Sequence, residues 1–175
     1  SRASLTYSQL QAAMDGKPDE ITGPLLETVI KPLYGAFRAL YQARTARQPM
    51  ELDLPERRIE LNAEGKVQAI RIAERLDAHR LIEEFMIAAN VCAAETLEQK
   101  RQPCMYRIHA EPAMEKLESL REFLKTLGYN LARGQVLRPA MFNQILTKAK
   151  DTEHAPVINE VILRSQSQAA YSPDN

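Results

Sequence analysis

Apolar residues recur mostly at helical spacing along this chain. The clearest case runs from Ala78 to about Lys100, with Asp77 placed to act as its N-cap. The face expected to be buried carries residues three or four positions apart: Leu81, Phe85, Ala88, Ala89 and Cys92. This pattern predicts one long amphipathic helix.

Two further helical stretches are predicted before it. Thr6 can cap a short helix from Tyr7 to Met14, which Asp15 and Gly16 would end. Gly23-Pro24 opens a second run, and Pro32 inside that run should divide it, because proline removes a backbone hydrogen bond and clashes with the preceding turn. From Leu33 to Ala46 the apolar positions again follow helical spacing.

Prolines and one glycine divide the last third of the chain. Pro112 is expected to start a helix that carries Leu117, Leu120, Phe123 and Leu124, and Gly128 is expected to end it as the C′ residue. Pro139 and Pro156 stand where first helical positions would be and predict two more helices.

Three segments alternate in polarity as strands do. Arg58–Leu61 and Val67–Ile72 flank a turn-like stretch at residues 62–65 and predict a hairpin, and Cys104–His109 predicts a further strand. Met50–Leu54 is read as an extended link, and the end, Tyr171–Asn175, as a turn. The fold class is therefore α+β and predominantly helical, with a hairpin, one more short strand and about six helices.

The composition is that of an ordinary soluble domain, and the net charge argues against nucleic-acid binding by the chain alone. With 175 residues it can form one domain with a sizeable core. Lys plus Arg and Asp plus Glu are each 23, and this zero net charge argues mildly against a self-sufficient nucleic-acid binder, which relies on neutralising phosphates. No apolar run is long enough to span a membrane. The first residues, Ser1–Ser4, lack an initiator Met and a signal peptide, so we expect a piece of something longer.

Cysteine and histidine give few chemical signals. Cys92 and Cys104 are too few for a disulfide scaffold and lack zinc-ligand spacing; Cys92 is expected to be buried, and the setting to be cytoplasmic. His79, His109 and His154 are scattered, and a structural role is favoured for His109. No phosphate loop, dinucleotide fingerprint, GxSxG or HExxH motif occurs.

Carboxylates matter because two-metal nucleases hold magnesium with clustered aspartates. No two aspartates are adjacent in this chain, and none forms an Asp-x-Asp pair. Glu83 and Glu84 are neighbours, but adjacent helical side chains point about 100° apart. One of them can therefore face a site while the other faces solvent, although a solvated helix edge is the simpler interpretation.

Six segments, in order, resemble the RNB catalytic domain shared by ribonucleases R and II. They are Leu5–Tyr7, Leu52–Glu56, Glu64–Val67, Ala78–Asn90, Tyr106–His109 and Ala170–Asn175. The HRLIEEFMIAAN run from His79 to Asn90 is highly specific, and the resemblance covers essentially the whole chain.

The resemblance implies processive 3′-to-5′ hydrolysis of single-stranded RNA to nucleoside 5′-monophosphates, assisted by magnesium. In that family the metal-binding aspartate cluster lies upstream of the Leu5–Tyr7 segment, and an arginine-bearing SPIRRY segment follows the Tyr171–Asn175 turn. Residues 1–175 would then be an internal part of one RNB domain that lacks both segments. The chain alone is expected to be inactive and to bind no magnesium, and truncation is expected to expose an apolar surface that favours self-association.

The resemblance also implies RNA-binding residues. Tyr7 and Glu83 match family positions that face the sugars of bound RNA, and a hydroxyl and a carboxylate can each hydrogen-bond a ribose 2′-OH. Leu52 stands where the family often has a phenylalanine that stacks on the terminal base; it offers apolar contact without an aromatic face. No catalytic residue and no metal ligand is predicted within the chain.

Two other interpretations remain open at this point. The chain could be a non-catalytic, RNB-like module that works by contact with a protein partner. It could also be a free-standing helical domain with only architectural similarity, in which case Glu83 should point into bulk solvent with no groove nearby.

Overall fold

The computed structural model describes residues 2–132 and 138–174 of the chain. Ser1 and Asn175, each at the end of a sequence segment discussed above, lie outside the described residues. The chain divides into two compact units, one of residues 1–47 and 57–102 and the other of residues 48–56 and 103–175. In the described parts there are six α-helices and four short strands, so the α+β, predominantly helical prediction is confirmed.

The first unit contains three helices and a hairpin. In chain order its regular elements are α1 (Tyr7–Met14), a 3-10 turn (Gly23–Leu25), a π-helical turn (Leu26–Ile30), α2 (Lys31–Ala46), β1 (Arg57–Leu61), β2 (Val67–Ile72) and α3 (Asp77–Gln99). Pro32 lies in the first turn of α2, directly after the π-helical turn. The predicted division of this run at Pro32 is wrong as a break, because the backbone remains helical through Pro32; the helix type changes from π to α between Ile30 and Lys31.

The start of α1 follows from its cap. The backbone N–H of Gln9 donates to the Thr6 hydroxyl at 3.2 Å, and the Gln9 side chain accepts from the Thr6 backbone N–H at 3.0 Å. This reciprocal pair is a capping box, which satisfies two otherwise unpaired donors. At the other end Gly16 takes a positive φ of 84°, a conformation that glycine adopts without steric penalty.

The hairpin forms where it was predicted. Strands β1 and β2 pair antiparallel, with Ile59 opposite Ile70 and Arg58 opposite Arg71. The connecting turn is held by the Asn62 side chain, whose Oδ1 accepts from the backbone N–H groups of Glu64 at 3.1 Å and Lys66 at 2.9 Å.

Helix α3 has nearly the predicted bounds, but three of its residues differ from expectation. Asp77 is the first helical residue and not the N-cap, which is Leu76. Ala89 and Cys92 are exposed and not buried. Helices α1 and α2 pack against α3, whose buried residues Ala78, Leu81 and Glu84 all lie in its first eight positions; Met86 and Val91 farther along remain exposed in this chain.

The first unit has a small core of its own. It forms where α1, the π-helical turn, α2 and α3 meet, and its buried side chains are Ala13, Ile30, Tyr34, Phe37 and Leu81. Tyr34 and Phe37 meet edge to face with ring centroids 6.2 Å apart, an arrangement that aromatic quadrupoles favour.

The described part of the second unit contains three helices and two short strands: β3 (Tyr106–Ile108), α4 (Met114–Thr126), α5 (Pro139–Ala149), α6 (Ala155–Ser165) and β4 (Ala170–Ser172). Helix α4 begins at Met114, two residues after Pro112. The predicted turn over Tyr171–Asn175 is wrong at its start, because Tyr171 and Ser172 belong to β4 and pair with β3. Strand β4 has three residues, which are too few to show an alternating pattern, and its partner β3 lies more than 60 residues earlier in the chain.

The core of the second unit lies between α4, α5 and α6, with Leu120, Leu124, Ile158 and Ile162 almost fully buried. Helix α4 ends as predicted at Gly128, which has φ 81°. The N–H of Gly128 donates to the Lys125 carbonyl at 3.1 Å, and that of Tyr129 donates to the Leu124 carbonyl at 2.9 Å. These two bonds form a Schellman motif.

Candidate functional site

Glu83 and Glu84 are adjacent on α3 and have different surroundings. Glu84 is buried at 4% exposure, and its carboxylate accepts a 2.6 Å hydrogen bond from Arg44 Nη1 on α2. Glu83 is partly exposed; its Oε1 lies 3.7 Å from the same Arg44 nitrogen, and its Oε2 forms an ion pair with Arg75. Glu84 therefore has a structural role, whereas Glu83 remains accessible.

Arg44 stays charged in this arrangement. Its hydrogen bond with Glu84 raises the pKa of the guanidinium above its already high ordinary value, and the charges of both glutamates act in the same direction. Arg75 comes from the segment just before α3 and is well exposed. The accessible carboxylate of Glu83 thus lies between two permanent cations.

Tyr7 lies at the first position of α1, with a side chain 44% exposed. Its ring stacks on the ring of His79, with centroids 4.2 Å apart and planes 28° from parallel. His79 and Glu83 are four residues apart on α3, so their side chains lie on the same face of that helix. Of the two predicted sugar-facing residues of this unit, Tyr7 therefore contacts His79, and Glu83 lies on the same helix face as His79.

Helices α1 and α3 are joined by a second contact beside this stack. Gln11 lies one turn after Tyr7 on α1, and its Oε1 accepts from the backbone N–H of Ala78 at 3.2 Å. That N–H belongs to the first turn of α3 and has no partner within its own helix. The bond therefore also fixes the start of α3 against α1.

Leu52 belongs to the second unit, where it is half-buried and packs against the core of that unit. Its neighbours are held by side-chain amides: the N–H of Glu51 donates to Asn143 Oδ1 at 3.0 Å, and that of Asp53 donates to Asn159 Oδ1 at 2.8 Å. Residues 50–54, predicted as an extended link, belong to no helix or strand.

Strands β3 and β4 present an arginine above an aromatic ring. The Arg107 guanidinium carbon lies 5.3 Å from the centre of the Tyr171 ring, a cation–π distance, and Tyr171 is 69% exposed. His109 follows β3, and its Nε2 forms a hydrogen bond with the Ser167 carbonyl. This bond agrees with the structural role predicted for His109.

Sequence reasoning missed the residues that connect the candidate site. Arg44, Gln11 and His79 were not singled out, because their partners lie between 40 and 72 positions away along the chain. One local signal existed for His79, namely its spacing of four residues before Glu83 on a predicted helix.

Magnesium does not fit the residues present here. Within residues 2–132 and 138–174, no three Asp, Glu, His or Cys side chains lie close enough together to hold a metal ion. Among the helices described, none is long and apolar enough to cross a membrane.

A family model, the RNB domain, matches residues 1–175 of the chain. The chain therefore belongs to the RNB domain family. Curated relatives are ribonuclease R proteins: those of Vibrio parahaemolyticus and Escherichia coli are each 34% identical over 177 residues, and that of Aquifex aeolicus is 35% identical over 176. Each alignment includes 100% of this chain but only 21%, 22% and 25% of the respective relative.

Solved structures share the fold. Mycoplasma genitalium RNase R in its apo form aligns with a TM-score of 0.83 over 96% of this chain and 26% of that one, at 21% identity. The same protein in complex with ribose-methylated single-stranded RNA gives the same values. The chain thus has the fold of part of an RNB region and spans about a fifth to a quarter of the length of the relatives above.

Proposed function

We propose that this chain is part of the catalytic domain of a 3′-to-5′ exoribonuclease that hydrolyses single-stranded RNA to nucleoside 5′-monophosphates. The observation that carries the proposal is the match of the RNB domain to residues 1–175, supported by relatives that are ribonuclease R proteins. Within that enzyme, the chain forms part of the wall of the channel that holds RNA.

Tyr7 and Glu83 are the residues proposed to face RNA. Both are partly exposed; Tyr7 stacks on His79, and Glu83 lies one turn after His79 on α3. The Tyr7 hydroxyl can donate to or accept from a ribose 2′-OH, and the Glu83 carboxylate can accept from it. Arg44 and Arg75 balance the charge of that carboxylate, which would otherwise repel the phosphates of RNA.

Leu52 is proposed to give apolar contact to the terminal base from the second unit. Its half-buried position leaves part of the side chain accessible. Its backbone neighbours are fixed by Asn143 and Asn159, which would hold the contact in place.

Chemistry at the phosphate is proposed to come from the rest of the parent enzyme. Magnesium would be held by aspartates outside this chain, since the described residues do not bring three such ligands together. The chain alone would then be inert. We also propose that the parent enzyme is cytoplasmic, in line with two cysteines that form no disulfide.

A comparison of the chain with the full-length protein that contains it tests this function. Both would be incubated with a 5′-labelled single-stranded oligoribonucleotide and magnesium, and the products resolved on a sequencing gel. We expect 3′-to-5′ laddering with the full-length protein and none above background with the chain. Laddering by the purified chain would overturn its inertness, and an inactive full-length protein would favour a non-catalytic, protein-binding module.

A further inference from the structure

His79 contacts two separate parts of the first unit. One face of its imidazole ring stacks on Tyr7 of α1 at 4.2 Å. Its Nδ1 accepts a hydrogen bond from the backbone N–H of Leu76 at 3.1 Å. The ring is therefore fixed both in its plane and across its face.

The second of these contacts makes His79 part of the cap of α3. Leu76 is the N-cap residue, and His79 is the third helical residue, the position from which a glutamate or glutamine reaches back in a capping box. Because Nδ1 accepts this bond, the neutral ring carries its proton on Nε2. The cap thus selects one tautomer and one orientation of the ring that supports Tyr7.

Tyr7 is fixed in a similar way from its own helix. The capping box of Thr6 and Gln9 sets the start of α1, and Gln11 ties α1 to the Ala78 N–H beside His79. Glu83 follows His79 by one turn of α3, at a Cβ separation of about 5–6 Å. Tyr7 therefore contacts His79 across the junction of α1 and α3, and Glu83 lies on the same face of α3 as His79.

We propose that His79 is a positioning residue for ribose recognition. Its ring holds the Tyr7 hydroxyl at a set distance from the Glu83 carboxylate, so that both groups meet the sugars of one RNA strand together. The proposal rests on the proposed function, in which Tyr7 and Glu83 face ribose. His79 itself contacts the protein, and the effect on RNA is transmitted through Tyr7.

Two substitutions separate the roles of the ring and the cap. His79→Phe keeps a ring for Tyr7 to stack on but loses the acceptor for the Leu76 N–H. His79→Asn keeps a side-chain acceptor but loses the ring. His154→Asn, at a partly exposed position after α5, serves as the matched control for loss of a histidine.

The readout is the ratio of kcat/KM for an oligoribonucleotide to that for the matching oligodeoxyribonucleotide, measured with the full-length protein. We expect His79→Asn to lower this ratio about tenfold, the effect of one hydrogen bond to the 2′-OH. His79→Phe should keep the ratio within about twofold, a difference well below one hydrogen bond. An unchanged ratio in His79→Asn, or equal losses in both variants, would overturn the proposal.

Glu83→Ala and Tyr7→Phe distinguish failure of this inference from failure of the proposed function. If neither changes the ratio, the proposed ribose contacts are wrong. If they lower it and His79→Asn does not, only the role of His79 is wrong. The wild-type chain offers a direct check by NMR: Tyr7 ring protons should show an upfield ring-current shift that disappears in His79→Asn and persists in His79→Phe. Unshifted Tyr7 protons in the wild type would refute the stack.

Discussion

Arg44 on α2 donates a 2.6 Å hydrogen bond to the buried carboxylate of Glu84 on α3, and this pair joins α2 to α3. Glu83, the residue before Glu84, lies 3.7 Å from the same guanidinium. Adjacent glutamates thus differ in what they do: one holds the fold, and the other is accessible for binding.

The difference predicts unequal effects on stability. Glu84→Ala leaves the partly buried Arg44 without its hydrogen-bonded partner and should lower the free energy of unfolding by about 2–3 kcal/mol. Glu83→Ala removes a more exposed charge and should lower it by less than about 1 kcal/mol. Urea denaturation followed by circular dichroism measures both. Equal effects of the two variants would contradict separate roles for the two glutamates.

Two glycines should respond in opposite ways to the same substitution. Gly128 has φ 81° at the end of α4, and a Cβ there would meet no atom within 4 Å. Gly128→Ala should therefore destabilise through backbone conformation alone, by about 1 kcal/mol.

Gly35 is the matched control for this prediction. It lies inside α2, and its Cβ would also meet nothing within 4 Å. Gly35→Ala should stabilise the chain by roughly 0.5–1 kcal/mol, because alanine loses less conformational freedom in a helix than glycine does. Thermal unfolding of the two variants should move in opposite directions, and a stabilising Gly128→Ala would contradict the left-handed helix end.

Local signals in the sequence were enough to place most elements. Thr6 before α1 and Gly128 after α4 act within one helical turn, so the residues around them determine where those helices begin and end. The hairpin likewise follows from alternating polarity around the turn at Asn62. Periodicity and caps are short-range properties, and a single sequence displays them.

Long-range pairings could not be read in the same way. The strand at Ala170–Ser172 depends on β3 for its hydrogen bonds, and the burial of Glu84 depends on Arg44, which is 40 residues earlier. The family resemblance pointed to Tyr7 and Glu83, but not to His79 between them, because stacking depends on how α1 and α3 pack. Exposure of Cys92 depends on how much of α3 its neighbours cover.

Acid should weaken the loop that follows α1. Asp19 Oδ1 accepts from the backbone N–H and the hydroxyl of Thr22, each at 2.7 Å, and from the N–H of Ile21 at 3.1 Å. The bonds from Thr22 lower the pKa of the Asp19 carboxyl below its ordinary value.

A lowered folded-state pKa sets the sign of the pH dependence. The stabilising contribution of Asp19 is complete above the unfolded-state pKa of about 3.9 and is lost as pH falls through the lower folded-state value. Asp19→Asn should therefore be less stable than the wild type at pH 7, and the difference should shrink as pH falls below about 4. Urea midpoints at several pH values test this. Thr22→Val removes the hydroxyl donor, so its stability should depend less on acid than that of the wild type. A stability difference between the wild type and Asp19→Asn that grows as pH falls would contradict the predicted direction.

One face of the hairpin should make the isolated chain self-associate. Ile59, Ile70 and Ile72 lie on the same side of the β1–β2 ribbon at 58%, 64% and 69% exposure, whereas the other side carries Arg58 and Arg71. We propose that the rest of the parent enzyme covers the isoleucine face, because exposed β-branched residues on a two-stranded ribbon leave apolar surface in water.

Static light scattering over a range of concentrations tests this face. The average mass of the wild-type chain should rise with concentration, and the double variant Ile59→Thr, Ile70→Thr should lower the rise, because threonine keeps the preference for strands while reducing apolar area. Arg58→Thr, on the opposite side of β1, is the control and should leave association at least as strong as in the wild type, since it removes a charge. A chain that stays monomeric at every concentration would show that this face does not drive association. If the isoleucine double variant and Arg58→Thr reduced the rise in average mass equally, the contact would lie elsewhere.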